Sequence, residues 1–206
     1  MGPRAFNLYR PPPKFKQTGI AAEAERWAAH VRKLWPNVDE HNYFFDYCAH
    51  LLQRPEEKCN VAVVLSGVQG IGKDAALTPV LGAVGDYNFK GIEPDALFDK
   101  FQSWKQMLVL KIDEVRPSKD EHHASSMYNA LKPLIATPPY FLPLNDKFAK
   151  LRWVINVMRI FITTNDHLAL HIPAEDRRMF VLHSDLPSKW YVAEGEPNYF
   201  KDLFDW

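Results

Sequence analysis

The sequence predicts an α/β fold in which a mostly parallel sheet alternates with helices, preceded by a small N-terminal helical unit. Three observations carry that prediction. Aliphatic and β-branched runs recur at "VAVVL", "MLVLKI", "RIFITT" and "MFVL", each the length of a strand covered on both faces. Stretches with apolar residues at helical spacing separate them. A burst of glycines, "GVQGIGKD", stands between the first run and the helical stretch after it.

Taken in order, Met1 to Gly19 are rich in proline and basic residues and read as an extended arm. Ile20, Ala24, Trp27, Val31 and Leu34 recur at helical spacing and predict a helix that stops before Pro36. Asp39 can cap a second helix with Phe44, Phe45, Cys48, Leu51 and Leu52 on its apolar face, ending near Pro55. Residues 1–58 thus form an arm and helical unit, and residues 59–206 a separate core. In that core Val61 to Leu65 reads as a strand. A helix from about Lys73 to Val84 turns Leu77, Val80, Leu81 and Val84 inward, is predicted to kink at Pro79, and stops at Gly85. Pro94 to Phe101 reads as a short helix. Met107 to Ile112 is a second buried strand ending at Asp113 and Glu114, and Glu121 to Ile135 a helix with Met127, Leu131 and Leu134 inward. "YFLPL", "NDKFAKL" and "RWVINV" read as a hairpin. Arg159 to Thr164 and "MFVLHS" supply two more strands, which completes an alternation of strands and helices.

Composition narrows the class. Over 206 residues, 47% are apolar and 24% charged, as in an ordinary globular protein. Basic and acidic residues balance at 25 each, so a polyanion site has to come from local clustering or from assembly of several copies. Cys48 and Cys59 lack metal-type spacing and read as free thiols in a reducing compartment. The N-terminus lacks the apolar stretch of a signal peptide, and no apolar run reaches the roughly 18 residues of a membrane helix. The expectation is a soluble cytoplasmic protein with no membrane partner.

Gly67, Gly70, Gly72 and Lys73 fit G-x-x-x-x-G-K between a strand and a helix, the context of a P-loop. Such glycines let backbone N–H groups turn toward a phosphate, the helix N-terminus adds positive partial charge, and the lysine neutralises the terminal phosphate. The stretch Gly67, Val68, Gln69, Gly70, Ile71, Gly72, Lys73, Asp74 and Ala75 is the candidate nucleotide cradle, with ATP the expected ligand. Asp74 stands where a magnesium-binding hydroxyl is usual. Its carboxylate reaches one bond further, adds negative charge, and can instead cap the helix.

A nucleotide hydrolase needs one carboxylate for magnesium and another to activate water. Asp113 and Glu114 supply both at the end of a buried strand, Asp113 for the metal and Glu114 as the base. Alternation along a strand would point the two to opposite faces. "FITTN" can aim the uncharged amide of Asn165 at the terminal phosphate and the attacking water. His122 and His123 beside Glu121 suggest a metal, but helix neighbours diverge by about 100° and read better as a solvated helix start.

The order "GVQGIGKD", "LVLKIDE", "FITTN", "EDRRMFVL" resembles the superfamily 3 helicase domains of viruses and phages. It is most similar to the helicase half of phage and plasmid primase-helicases, including the poxvirus-type ones. "FNLYRPP" resembles the segment joining the primase and helicase halves, and "FFDYCAHLLQRPEEKCNVAVVLSG" the approach to the P-loop. The resemblance implies a P-loop NTPase core of AAA+-like kind and an ATPase that drives a DNA helicase. Lys73 and the loop amides would bind ATP, Asp113 would serve Mg2+ and Glu114 would act as base; Asp74, a candidate metal ligand from its position, departs from the family's hydroxyl. Asn165 would act as sensor, and Arg178 as an arginine finger reaching a neighbour's ATP, with Arg177 its rival. Ring assembly, commonly a hexamer, on single-stranded DNA is implied too, with a primase or polymerase as partner and a host cytoplasm if viral.

In that family a basic hairpin between the acidic and sensor strands faces the channel. Here "PLNDKFAKLRWVINVMR" carries Lys147, Lys150, Arg152 and Arg159 against one Asp146, with Lys132 just ahead. Lys147, Lys150 and Arg152 are the candidate DNA contacts. Phe148 and Trp153 read first as packing residues, with base stacking as the alternative. The chain stops at "YFKDLFDW", where the family continues into further helices. A P-loop phosphotransferase, and an inactive P-loop module binding DNA or a replication partner, remain the rival readings.

Overall fold

A computed structural model of the chain describes residues 11, 21–117, 121–166, 169, 172–173 and 175–205. The proline-rich arm, apart from residue 11, lies outside the described residues, as do the side chains of His122 and His123.

Two helices come first, α1 (Ala21–Leu34) and α2 (Val38–Gln53). Asn37, not Asp39, caps α2: its Oδ1 accepts from the N–H groups of Asp39 at 2.9 Å and Glu40 at 3.4 Å. Asp39 is inside the first turn, where its charge complements the helix dipole. Val31, Leu34, Trp35, Phe44, Tyr47, Cys48 and Leu51 are buried, whereas Leu52, expected inward, is 45% exposed. His30, not part of the expected face, is fully buried.

The strands β1 (Ala62–Gly67), β2 (Phe89–Ile92), β3 (Val109–Val115), β6 (Arg159–Thr164) and β7 (Met179–Ser184) form one sheet in the order β2-β3-β6-β1-β7. Every pair in it is parallel. The separate hairpin pairs β4 (Phe141–Leu144) with β5 (Arg152–Ile155), antiparallel. β2 went unread in the sequence because only Phe89 and Ile92 in "FKGI" carry an apolar signal, broken by Gly91.

Side-chain alternation divides the core in two. Val63, Leu65, Val109 and Phe161 face α1, α2 and α3 (Lys73–Val84). Ala62, Val64, Leu110, Ile112, Ile160 and Ile162 face the other way, toward α4 (Glu121–Ile135) and the 3-10 turn at Pro94–Phe98. Burying each large aliphatic side chain contributes about 1.5–3 kcal/mol, so both faces of the sheet are committed to cover. α3 begins at Lys73 and ends on Gly85, whose N–H bonds Leu81 O, as its sequence predicts. The short helices α5 (Trp190–Ala193) and α6 (Tyr199–Phe204) return to pack beside α1 and the start of α3. No helix among the described residues is long and apolar enough to cross a membrane. Cys48 and Cys59 are free thiols, the first buried.

Arg159, counted with the basic hairpin in the sequence, belongs elsewhere. It is fully buried at the start of β6, with Nη2 2.8 Å from His50 Nδ1 and Nη1 donating to Val157 O at 3.2 Å.

Candidate functional site

Strand order positions the site. In a parallel sheet the carboxyl ends of the strands share one edge, and ligands bind where neighbouring crossovers diverge. β6 lies between β1 and β3, so the end of the "FITTN" strand separates the glycine loop from the acidic pair. All three face a cleft of about 480 Å³, lined among others by Gly72, Lys73, Asp113, Glu114, Thr163 and Asn165.

The loop from Gly67 to Gly72 needs its glycines. Gly67, Gly70 and Gly72 have φ of +143°, +82° and +104°. A Cβ on Gly67 would lie 2.7 Å from Ile71 Cδ1 and 2.9 Å from Ser184 O. Val68, Gln69 and Gly70 stand exposed at the crest, and Ile71 anchors the loop in the core. Gly72 is the left-handed N-cap of α3 and makes no side-chain cap bond, which leaves first-turn N–H groups for a ligand. Ala75 is buried in that first turn and lines the cleft.

Aromatic side chains from both ends of the chain grip this segment. His30 Nε2 is 2.9 Å from Gly72 O, so that nitrogen donates, and Nδ1 accepts from the Tyr199 hydroxyl at 2.9 Å. Trp190 Nε1–H donates to Ile71 O at 3.1 Å, and Trp27 Nε1–H to Ala76 O at 2.9 Å. Burial pushes the His30 imidazole below its ordinary pKa, which keeps it neutral and suits this tautomer. Phe200 and Phe204 of α6 line the cleft as well. Sequence spacing gave no sign of these contacts, which join residues 42 to 169 positions apart.

Lys73 is buried, and its ammonium donates to Gly67 O, to Val68 O at 3.0 Å and to Asn165 Oδ1 at 3.0 Å. Burial lowers its pKa, opposed by the charges of Asp74 and Glu114. The P-loop lysine and the amide at the end of β6 are thus in direct contact.

Asp113 and Glu114 both line the cleft, because the alternation expected of a strand fails there. The β3–β6 register shifts between Ile112 and Val115, and Glu114 takes φ +53°, rare for a residue with a side chain. Thr163 holds the pair together: its Oγ1 accepts from the Glu114 N–H and donates to Asp113 Oδ1, each at 3.3 Å. Thr164 Oγ1 fixes the ends of both strands by donating to Val115 O at 2.7 Å. Glu114 Oε2 also pairs with the exposed Arg116 at 2.9 Å.

Lys111 also lines the cleft and went unread in the sequence. Lys111 Nζ sits 2.7 Å from Asp74 Oδ1 and 2.5 Å from Asp113 Oδ1, with its side chain 13% exposed. Burial alone would lower its pKa, and the two carboxylates more than reverse that, so it stays charged. The available signal was the "K" of "LVLKID", a cation two residues before Asp113 and therefore on the same strand face. Asp74 and Asp113 offer the hard oxygen donors that magnesium prefers, so the residues fit such an ion. Their point of convergence holds the Lys111 ammonium. Among the described residues no group of three or more His, Cys, Asp and Glu side chains is placed to hold a metal.

Arg178 and the hairpin lie apart from this convergence. Arg178 is tied to Asp176, through its N–H to Oδ1 at 2.7 Å and its Nη1 to Oδ2 at 3.5 Å, while the Tyr128 hydroxyl also donates to Asp176. Arg177 is exposed and has no ion pair among the described residues. In the hairpin, Lys147 and Lys150 are exposed, and Arg152 is held by Asp146 at 2.7 Å and Gln106 at 2.9 Å. Phe148, at the tip with φ +64°, is 97% exposed, and Trp153 is 59% exposed. Neither is a packing residue, contrary to the first reading: the hairpin turns its Leu142 and Leu144 face inward and this face out. Lys132 Nζ bonds Asn129 Oδ1 at 2.9 Å and lies over the Tyr128 ring.

The apo structure of the NrS-1 C-terminal region (305–718) superposes with a TM-score of 0.73 at 19% identity, over 98% of this chain and 46% of that one. A second form of the apo NrS-1 C-terminal region gives 0.70 at the same identity. JCV helicase, solved with a small molecule bound, gives 0.53 at 13% identity, over 90% of this chain and 52% of that one. The chain spans about half the length of these structures, and at such identity what it shares with them is the fold. The shared fold is the α/β arrangement built on the parallel sheet β2-β3-β6-β1-β7. No curated protein sequence matches the chain. The profile of a family of unknown function, DUF5906, matches residues 65–178, from the end of β1 through the glycine loop, acidic strand and sensor strand to the arginine pair. The chain belongs to the DUF5906 family.

Proposed function

We propose that the chain is the ATP-hydrolysing motor domain of a DNA helicase or translocase, of the kind found in phage or mobile-element primase-helicases. Its ATP sites would lie between subunits of a ring, commonly a hexamer, on single-stranded DNA. The observation that carries this reading is the convergence in one cleft of Lys73, the Asp113–Glu114 pair and Asn165.

Each group then has a task. The N–H groups of Gly67 to Ala75 and the start of α3 wrap the phosphates, and the Lys73 ammonium offsets their charge. Asp113 and Asp74 would hold magnesium, which when bound would supply positive charge to the phosphates. The Glu114 carboxylate takes a proton from the attacking water, and the Asn165 amide orients that water and the terminal phosphate. The positive φ of Glu114 supports this role, because backbone strain of about 1–3 kcal/mol is kept where it positions a functional group. Arg178 serves the neighbouring subunit's site, where charge develops in the transition state. Lys147, Lys150 and Arg152 track DNA phosphates, and the exposed Phe148 stacks on a base. Residues 1–58 would be an N-terminal arm and helical unit ahead of residues 59–206, the motor core. A primase or polymerase partner, and a cytoplasmic setting (a host's, if viral), belong to the same reading.

ATP turnover with and without single-stranded DNA, in wild type and Glu114→Gln, tests it. DNA-stimulated turnover that Glu114→Gln abolishes is the expected result. Absent turnover with DNA binding retained would make the chain an inactive P-loop module, and phosphate transfer to a small acceptor would make it a phosphotransferase.

A further inference from the structure

The motor reading leaves Lys111 without a task, yet Lys111 is built into the cleft. It is the one cation of β3, set among Val109, Leu110 and Ile112 ahead of the acidic pair, on the face turned toward α3. Asp74 comes from the first turn of α3 and Asp113 from the end of β3, and both carboxylates contact the one ammonium, at 2.7 and 2.5 Å. Lys73 cannot replace it there, because its own ammonium is spent on Gly67 O, Val68 O and Asn165. Two carboxylates drawn together across a cleft repel one another unless a cation lies between them. In P-loop NTPases a divalent ion is held between the residue after the P-loop lysine and the acidic strand.

We propose that Lys111 is a resident counter-cation of the phosphate site, joining Asp74 to Asp113 in the empty protein and competing with divalent metal for both. The proposal rests on the nucleotide reading of the cleft. It accounts for the aspartate at position 74, since a hydroxyl there would give Lys111 one carboxylate partner instead of two. It also makes metal binding depend on the ligand. A bound triphosphate offers the ammonium another anion, so nucleotide and metal bind with positive coupling.

Mn2+ titrated into the nucleotide-free chain, read by the paramagnetic resonance of the free ion, tests this in wild type, Lys111→Met, Lys111→Arg and Lys73→Met. Removing a charge in contact with both carboxylates is expected to tighten Mn2+ by about tenfold or more in Lys111→Met. Lys111→Arg keeps the weak binding of wild type, and Lys73→Met, which removes an equal charge from the same cleft, shifts it by less than about threefold. Circular dichroism confirms folding, and Lys111→Gln carries the measurement if Lys111→Met fails to fold. Unchanged Mn2+ affinity in the folded neutral variant, or equal tightening in Lys73→Met, overturns the proposal. A fluorescent ATP analogue titrated in EDTA and again with magnesium separates the two readings. No analogue binding in either condition, with a Mn2+ response to Lys111→Met, refutes the nucleotide site and leaves the counter-cation. Analogue binding with no Mn2+ response refutes the counter-cation alone.

Discussion

Replacing Gly72 by alanine adds one methyl group where three parts of the chain meet. The new Cβ would lie 2.6 Å from His30 Cε1, 2.7 Å from Phe200 Cε1 and 2.8 Å from His30 Nε2. Neither ring is a free end. His30 is fully buried and bonded at both nitrogens, and Phe200 packs against Tyr191 and Tyr199. The backbone adds its own cost, because φ of +104° disfavours any side chain. Left-handed backbone costs about 1–2 kcal/mol and overpacking about 1–3 kcal/mol, so a loss of roughly 2–5 kcal/mol is expected. For a chain of this size that lowers the melting temperature by about 4–20 °C. Gly82→Ala is the control: it lies inside α3 with nothing within 4 Å of its Cβ, and should stabilise by about 0.5–1 kcal/mol. Urea unfolding of both variants measures the difference. A Gly72→Ala chain as stable as wild type would refute the claim that α1 and α6 close on the P-loop at this glycine.

Three further outcomes follow from the geometry. His30 is held neutral in the fold with a pKa below its ordinary 6.5, so the unfolded chain takes up its proton first and stability is lost as pH falls below 6.5. Urea midpoints should decline less steeply over that range in His30→Gln; equal slopes would contradict the assignment. Lys147→Ala with Lys150→Ala should weaken single-stranded DNA binding about tenfold at low salt while basal ATP turnover persists, and unchanged affinity removes the hairpin assignment. Arg178→Ala and Lys73→Ala chains, each inactive alone, should recover part of the turnover when mixed, because in the proposed ring their lesions would fall on opposite sides of a shared site. A mixture as inactive as its components contradicts an arginine finger in trans.

The sequence disclosed the features that are local. Strands β1, β3, β6 and β7 announce themselves as aliphatic runs, and α3 carries its own boundaries in the glycines at 72 and 85. Motif order then predicted that Lys73, Asp113, Glu114 and Asn165 share one cleft, as they do. Features set by tertiary contact stayed hidden. Whether a buried arginine faces DNA or the core depends on what packs above it, and α2 packs above Arg159 through His50. The bulge that turns Glu114 into the cleft arises from pairing between β3 and β6, which neither strand encodes alone. Lys111 needed the reverse insight: a lone cation in a buried strand demands a partner, and period-two alternation already placed Asp113 beside it.

Every role proposed for the cleft requires that the loop from Gly67 to Lys73 receive a nucleoside triphosphate. Titrating a fluorescent ATP analogue into wild type and Lys73→Met measures it most directly. Saturable binding that weakens by about tenfold or more in the variant, with the fold intact, is the predicted result. An analogue that fails to bind wild type with or without magnesium, or binds both chains equally, would contradict it.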